Sequence, residues 1–222
     1  MRNEKIAIIG GTGKEGKGLA YRWLQAGYNV IIGSRSTEKA LQAVMGLKEL
    51  VPSEIKQNID GKMNEAASEE ADIIVITIPF AFHRDILETI KPFAQGKVVL
   101  DVTVPLVPPK VSTVQIPYNG SAALFAQDIL GENVKVISAF QNISFELLLG
   151  DKPIECDVLV CGTDKATREL GVRLVSDVGL TGWDAGPLEN SIVAEGLTSV
   201  LIRINKKYGS LSAGIRITGI EK

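Results

Sequence analysis

The chain has 222 residues, of which 45% are hydrophobic and 23% are charged, and this composition is typical of a globular protein that can bury a core. Its 24 basic and 26 acidic side chains give a formal net charge of -2, which leaves no strong field to hold a nucleic acid or an anionic membrane surface. No run approaches the roughly 18 apolar residues of a membrane helix and no signal-peptide core is present, so we expect a cytoplasmic protein.

Short apolar runs alternate with amphipathic segments along the chain. The apolar runs predict buried strands at residues 6–10, 30–33, 73–78, 98–102, 134–138 and 156–162. A helix between the first two strands ends at Gly27, the next helix has Ser36 as a natural N-cap, and a later helix is predicted over 164–177. Strands that are apolar on both faces and joined by helices predict an α/β fold with a doubly wound parallel sheet.

The last predicted helix, over residues 190–207, carries one broad apolar stripe. The stripe consists of Ile192, Val193, Leu197, Val200, Leu201 and Ile204. A stripe of this kind packs either on its own domain or on a second subunit. We expect a homodimer.

A glycine-rich segment follows the first predicted strand and opens the first predicted helix. It contains the pattern G-x-G-x-x-G at Gly11, Gly13 and Gly16. In this pattern the first glycine makes a tight turn, the second lets backbone approach a pyrophosphate, and the third lets helix and strand pack closely. The segment predicts a Rossmann-type dinucleotide site. We count the intervening residues Thr12, Lys14 and Glu15 with the cofactor-binding residues.

The end of the second predicted strand indicates which dinucleotide binds. An Asp or Glu there would bind the ribose hydroxyls of NAD, but the chain reads Gly33-Ser34-Arg35-Ser36-Thr37, with Lys39 one turn later. Arg35 can meet a 2′-phosphate with its planar guanidinium, and Lys39 adds a point charge. The hydroxyls of Ser34 and Thr37 can add donors. The pattern favours NADPH over NADH.

Further blocks of the chain resemble a known family. They are Gly10-Gly11-Thr12-Gly13 with Gly16-Lys17-Gly18, Gly33-Ser34-Arg35 with Lys39, Thr77-Ile78-Pro79, Pro105-Leu106-Val107-Pro108, and Asp184-Ala185-Gly186-Pro187-Leu188 with Asn190-Ser191. Over nearly its whole length the chain is similar to the NADPH-dependent reductases of the deazaflavin coenzyme F420. The resemblance implies hydride transfer between NADP(H) and F420.

The resemblance also implies roles for individual residues. Thr12, Ser34, Arg35 and Lys39 would bind the adenine ribose phosphate and the pyrophosphate, while Ile78 and Pro79 would lie by the nicotinamide. The deazaflavin would lie against the nicotinamide, in a pocket shared with the segment after residue 138. We therefore divide the chain into an NADP-binding Rossmann domain over residues 1–145 and a small C-terminal domain over 146–222 that completes the acceptor pocket.

The segment after Ser138 departs from this family. The family has a histidine where this chain has Gln141, whereas Ile143 is retained. Gln141 can still hydrogen-bond a ring carbonyl, but a proton donor or cationic group is lost. Two alternatives therefore stay open. One is an NADPH-dependent reductase of another acceptor, such as a flavin, a ferric chelate or a small carbonyl or imine; the other is an NADPH-binding sensor without catalysis.

The remaining candidates carry no catalytic or metal-binding prediction. The single histidine, His83, is expected to be partly exposed at the start of a helix. Asp101 and Asp184 follow or end strands, where a structural role competes with a catalytic one. Cys156 and Cys161 are expected to be buried, inert thiols. Hydride transfer is consistent with this set because it needs mainly two stacked rings and the exclusion of water.

Overall fold

A computed structural model describes residues 2–150 and 152–220. In these residues the strands are β1 (Lys5–Ile9), β2 (Asn29–Ser34), β3 (Ile59–Met63), β4 (Ile73–Ile76), β5 (Val98–Asp101), β6 (Lys135–Ser138), β7 (Asp157–Gly162) and β8 (Thr181–Pro187). The helices are α1 (Lys14–Gln25), α2 (Thr37–Leu50), α3 (Asn64–Glu70), α4 (His83–Ala94), α5 (Ala122–Leu130), α6 (Phe145–Leu148), α7 (Lys165–Asp177) and α8 (Ser191–Tyr208). Short 3-10 turns span Ser53–Asn58, Phe80–Phe82 and Leu188–Asn190.

All eight of these strands belong to one sheet, in the order β3-β2-β1-β4-β5-β6-β7-β8. Strands β1 to β6 are parallel, β7 pairs antiparallel with β6, and β8 is again parallel to β7. The chain turns from one half of the sheet to the other between β1 and β4, and the carboxyl ends of these strands flank a crevice. This arrangement confirms the predicted α/β fold with a doubly wound parallel sheet, with the difference that β7 pairs antiparallel with β6.

Two buried clusters fill the layers on the two faces of the sheet. One contains side chains of α1, α2 and α7, and the other contains side chains of α3, α4 and α5. Trp23 on α1 is fully buried, and its indole Nε1 donates to the carbonyl of Leu174 on α7 at 3.2 Å. Residues on both sides of position 145 thus share one sheet and one core, and the division into two domains stays a prediction.

Five elements lie outside the sequence predictions, namely β3, α3, α5, α6 and β8. Strand β3 is an edge strand, and Gly61 lets it approach α2 so closely that a Cβ there would lie 2.9 Å from the carbonyl carbon of Ala40. Strand β8 contains two glycines and ends at Pro187, residue types that are depleted in strands. Both β3 and β8 form because they pair with a neighbouring strand, although their local sequences do not favour a strand.

Helix α8 buries one residue of its apolar stripe, Leu201, and otherwise a face of small and polar side chains. The residues packed on the rest of the chain are Ser191, Ala194, Glu195, Ser199 and Leu201. The Glu195 carboxylate accepts hydrogen bonds from the backbone N–H groups of Ala122 (2.7 Å) and Ala123 (3.0 Å) at the start of α5. The contacts between this helix and the rest of the chain are therefore made mostly by small and polar side chains. Neither α8 nor any other helix of the described residues is long and apolar enough to cross a membrane.

Much of the stripe is left exposed. Val193 is 62% exposed, Val200 45% and Ile204 37%. The stripe is thus divided: Leu201 packs on its own chain, while these three side chains are not covered by the described residues.

Candidate functional site

The loop between β1 and α1 closes through a short turn. Gly13 N donates to the carbonyl of Gly10 at 3.0 Å, and Gly10 has a positive φ of 77°. The left-handed residue of this loop is thus Gly10, which directly precedes the motif glycine Gly11. Gly11 instead lies against the sheet, where a Cβ would be 2.7 Å from the carbonyl oxygen of Ile8.

Gly16 and Gly13 differ in their surroundings. A Cβ at Gly16 would lie 2.7 Å from the Gly11 Cα and 2.8 Å from Thr77 Oγ1, so this glycine permits the close packing that the motif predicts. A Cβ at Gly13 would meet only the Gly10 carbonyl oxygen, at 3.5 Å. Gly13 is also the N-cap of α1 and supplies no capping side chain. Open space and free N–H groups together suit an anionic ligand.

A cavity of about 810 Å³, which we call the dinucleotide cavity, opens beside this loop. Seven predicted site residues line it: Thr12, Gly13, Ser34, Arg35, Lys39, Ile78 and Pro79. Arg35 is exposed, with its guanidinium carbon 5.5 Å from the centre of the Phe82 ring. The cationic residues of the lining are Arg35 and Lys39, at the end of β2 and the start of α2, where a 2′-phosphate is expected.

Several lining residues of the dinucleotide cavity were missed. They include Ser36, Met63, Asn64, Glu65, Phe82 and Asp85. Ser36 Oγ caps α2 by accepting from Lys39 N at 3.4 Å, while Thr37 does not line the cavity. Asn64 follows β3 and its buried Oδ1 has no hydrogen-bond partner in the described residues. Recognising β3 would have placed Asn64 at the carboxyl edge of the sheet.

A second cavity of about 510 Å³, the acceptor cavity, adjoins the first. The two share the residues Gly13, Thr77, Ile78 and Pro79. The predicted residues Lys14, Glu15, Gln141 and Ile143 line the acceptor cavity, whereas Gly11 and Gly16 line neither. Its other walls come from residues 102–106, from α8 and from residues 211–213. These segments are distant in sequence, and only the fold brings them together.

Gln141 is held firmly in the wall of the acceptor cavity. Its side-chain Nε2 donates to the carbonyl of Asp101 at 2.8 Å and to Ser138 Oγ at 2.9 Å. Because a carbonyl can only accept, the bond to Asp101 fixes which end of the amide is nitrogen. Both N–H groups are engaged, so Gln141 does not offer a free donor to a ring carbonyl, contrary to expectation.

Two buried polar atoms beside this cavity have no protein partner in the described residues. They are Gln141 Oε1 and Thr103 Oγ1, and both residues line the cavity. Buried polar groups without a partner cost free energy unless another molecule satisfies them. A mainly apolar space with a few such groups fits a planar ring system that carries heteroatoms.

Phe140 turns the chain from β6 into this wall. It has a positive φ of 74°, is fully buried, and meets Trp23 edge to face with ring centres 5.8 Å apart. A left-handed conformation at such a residue costs on the order of 1–3 kcal/mol and persists only where packing enforces it. The strained residue stands directly before Gln141 and positions the segment up to Ile143.

The structure corrects the expectation for His83. This histidine is 1% exposed and not partly exposed, and its Nε2 lies 2.7 Å from Oδ2 of the fully buried Asp101. Asp101 Oδ1 accepts from the N–H of Thr103 at 2.9 Å. Through these bonds, and the Gln141 bond to its carbonyl, Asp101 connects two walls of the acceptor cavity. His83 and Asp101 do not line the cavity themselves, and they hold its walls in position from beneath.

The other candidates from the sequence are structural. Asp184 Oδ1 accepts from Arg168 Nε at 2.8 Å and from Gly186 N at 2.9 Å. Cys156 and Cys161 are buried free thiols, as expected, and burial raises the pKa of Cys161 to about 11. A thiol with so high a pKa is a poor nucleophile at neutral pH.

Comparison with known proteins finds relatives over nearly the whole length of the chain. Residues 5–105 match the family described as NADP oxidoreductase, coenzyme F420-dependent. The F420-dependent NADP reductase of Methanocaldococcus jannaschii is 39% identical, and the match covers 98% of this chain and 99% of the relative. The enzyme of the same name from Methanothermobacter marburgensis is 37% identical, with 97% and 99% covered.

A solved structure shares the fold over its full length. It is the crystal structure from Arthrobacter sp. FB24 of a candidate F420-dependent NADP reductase, with a TM-score of 0.82. The two chains are 21% identical, and the superposition covers 98% of this chain and 100% of the other.

Proposed function

The chain belongs to the family of F420-dependent NADP reductases, and on that basis we propose that it transfers hydride between NADP(H) and coenzyme F420. The observation that carries the proposal is the wall shared by the two cavities. Hydride transfer requires two rings in direct contact, away from water. Residues 77–79, which both cavities share, stand where such a contact would occur.

We propose that the dinucleotide cavity holds NADPH. Gly13 leaves room for the pyrophosphate, and the N-terminus of α1 offers it N–H groups. Arg35 and Lys39 would pair with the 2′-phosphate, and the buried Ser34 would lie beside the ribose. Ile78 and Pro79 would contact the nicotinamide.

We propose that the deazaflavin ring occupies the acceptor cavity. Ile143 would offer an apolar contact, and Gln141 and Thr103 in the lining carry the buried, unpartnered atoms Oε1 and Oγ1. F420 supplies a two-electron carrier, so the protein needs no metal for this chemistry. Family membership favours this acceptor over the flavin, ferric chelate, carbonyl or imine alternatives and over a non-catalytic sensor.

Mixing the protein with NADPH and oxidised F420 tests the proposal. We expect the deazaflavin absorbance to bleach, and we expect Ile143→Asp to slow bleaching because it places a charge against an apolar ring face. Ile116→Asp is the matched control, since Ile116 is 64% exposed and lines neither cavity. If F420 stays oxidised while another acceptor is reduced, the deazaflavin assignment fails. Tight NADPH binding without reduction of any acceptor would favour the sensor.

We further propose a homodimer that covers the exposed apolar face of α8. The support is the contiguous set Val193, Val200 and Ile204, since large exposed apolar patches commonly mark interfaces. Val200→Lys should shift the protein to a monomer in sedimentation experiments. Leu41→Lys on α2, at the same 45% exposure, should not. A wild-type protein that sediments as a monomer at every concentration would contradict this proposal.

A further inference from the structure

Reduction of a deazaflavin by hydride needs a proton as well. A C–H bond of the dihydronicotinamide breaks, its electron pair forms a new C–H bond on the acceptor ring, and a ring nitrogen gains a proton. NADPH supplies only the hydride. The amide of Gln141 is not an acid and both of its N–H groups are engaged, so the proton must come from another group.

Glu15 stands out among the residues that line the acceptor cavity. The ionisable residues of that lining are Lys14 and Glu15, and the residues contributed by 102–106, 141–145, α8 and 211–213 are all uncharged. Lys14 is directed toward α6, with its Nζ 3.7 Å from Glu146 Oε1 and 4.9 Å from the centre of the Phe145 ring. Glu15 is therefore the acid of this cavity wall.

Glu15 is also free of protein partners among the described residues. It is the second residue of α1, its side chain is half-buried, and it makes no hydrogen bond or salt bridge there. The charged groups nearest along its own helix and on the facing α6 are Lys14, Lys17 and Glu146, and Lys14 is paired with Glu146. Burial raises the pKa of the Glu15 carboxyl to about 8, so it carries its proton at neutral pH.

The proposed dinucleotide site reinforces this protonation. Gly13 lines both cavities, and Glu15 follows it by two residues at the same helix N-terminus. A pyrophosphate bound there would place negative charge beside the carboxyl and would compete for the N–H groups that could stabilise a carboxylate. NADPH binding should then hold Glu15 in its neutral, proton-donating form.

Resting on the proposed function, we propose that Glu15 is the catalytic acid that donates the proton accompanying hydride transfer to the acceptor. The O–H bond of its carboxyl breaks as the N–H bond of the reduced ring forms, which leaves a carboxylate. Because Glu15 is only half-buried, that carboxylate can regain a proton from water. In the reverse direction the carboxylate would accept the proton from the reduced ring.

The first test measures protons and needs no turnover. Calorimetric titration of NADPH at pH 8.5, in buffers of different ionisation enthalpy, should show net proton uptake by the wild-type protein, because part of Glu15 is ionised there. Glu15→Gln should bind NADPH without that uptake. Glu146→Gln, which removes the neighbouring acid outside the cavity lining, should keep it. Equal uptake by Glu15→Gln and wild type would overturn the proposal.

The second test follows F420 reduction in a stopped-flow instrument. At pH 7 we expect Glu15→Gln to slow bleaching by about 10²-fold, the lower end of the usual contribution of a general acid, with NADPH affinity kept within about threefold. The wild-type rate should fall above pH 8, whereas the residual rate of the variant should not follow that profile. Glu15→Asp should recover part of the rate.

The outcomes separate the two proposals. If Glu15→Gln reduces F420 with the wild-type rate and pH profile, Glu15 is not the acid although the reductase assignment stands. If the wild-type protein binds NADPH but never reduces F420, the proposed function itself fails, and the assignment of Glu15 fails with it. An unfolded Glu15→Gln protein would be detected by its melting temperature, and the Glu15→Asp variant would then decide.

Discussion

The two adjoining cavities differ in how the chain builds them. The dinucleotide cavity depends on a continuous loop and helix start, with Gly13 leaving open space and Arg35 supplying charge. The acceptor cavity depends on segments that are far apart in sequence, including residues 141–145 and α8, and its lining is mostly uncharged. Recognition of phosphates needs backbone N–H groups and cations, which a short motif can supply. Recognition of a ring needs a shaped apolar space, which only the assembled fold supplies.

This difference predicts that single substitutions will act more strongly on the dinucleotide side. There, Gly13 leaves the open space expected for the pyrophosphate, and Arg35 is the one guanidinium in the lining of the cavity, beside the ammonium group of Lys39. On the acceptor side, the ring is expected to contact many side chains, each with a small share of the binding free energy.

Gly13→Val should give the largest effect. The branched side chain would fill the open space beside Gly13, where the pyrophosphate backbone contact is expected, while meeting no protein atom closer than 3.5 Å at its Cβ. We expect NADPH and NADH affinity to fall by more than about 10²-fold, equivalent to at least about 2.8 kcal/mol, in equilibrium titrations. Gly46→Val is the control, because no atom lies within 4 Å of a Cβ there. A folded Gly13→Val protein with normal binding would remove the loop from the site.

Arg35→Ala should act on one dinucleotide only. Loss of a charged hydrogen-bond donor to the 2′-phosphate should weaken NADPH binding by roughly 1.5 to 3 kcal/mol and leave NADH nearly unchanged. Fluorescence titration with both cofactors measures the ratio. Arg84→Ala serves as the control, since Arg84 lies outside both cavities. Equal losses for NADPH and NADH would contradict the assignment of Arg35 to the phosphate.

Gln141→His, on the acceptor side, should have the smallest effect. Histidine would restore the residue of the family, and one additional hydrogen bond to the acceptor is worth about 0.5–1.5 kcal/mol. We therefore expect the KM for F420 to fall by about threefold while NADPH affinity stays constant, because Gln141 does not line the dinucleotide cavity. Gln141→Leu, of similar size but without a donor, should not improve KM. If the two variants behave alike, the side chain acts only through packing.

The sequence predicted the fold class and most of the dinucleotide site because both depend on local signals. Alternating apolar runs gave six strands of the sheet, and Ser36 was identified as the N-cap of α2, where its Oγ accepts from Lys39 N. The sequence placed the tight turn at Gly11, and the structure shows that the residue with positive φ in this loop is the adjacent Gly10. The edge strand β3 lacks a continuous apolar run, and it was missed together with Asn64.

The acceptor site was less predictable because its contacts are not local. Nothing near His83 in sequence indicates that it is buried against Asp101, 18 residues away. The engagement of Gln141 by the Asp101 carbonyl spans 40 residues, and the left-handed conformation of Phe140 is enforced by packing on Trp23. Such features depend on tertiary structure, which a motif of a few residues does not encode.

Helix α8 connects the acceptor site to the surface proposed for dimerisation. On one side Thr198 donates to the backbone carbonyl of Gln141 at 2.7 Å, and Leu201 and Asn205 line the acceptor cavity. On another side lies the exposed apolar face that includes Val200. Binding of F420 and association of subunits would then be linked equilibria that share one rigid element. By reciprocity, the factor by which dimerisation changes F420 binding must equal the factor by which bound F420 changes dimerisation. The apparent affinity for F420 should accordingly depend on protein concentration.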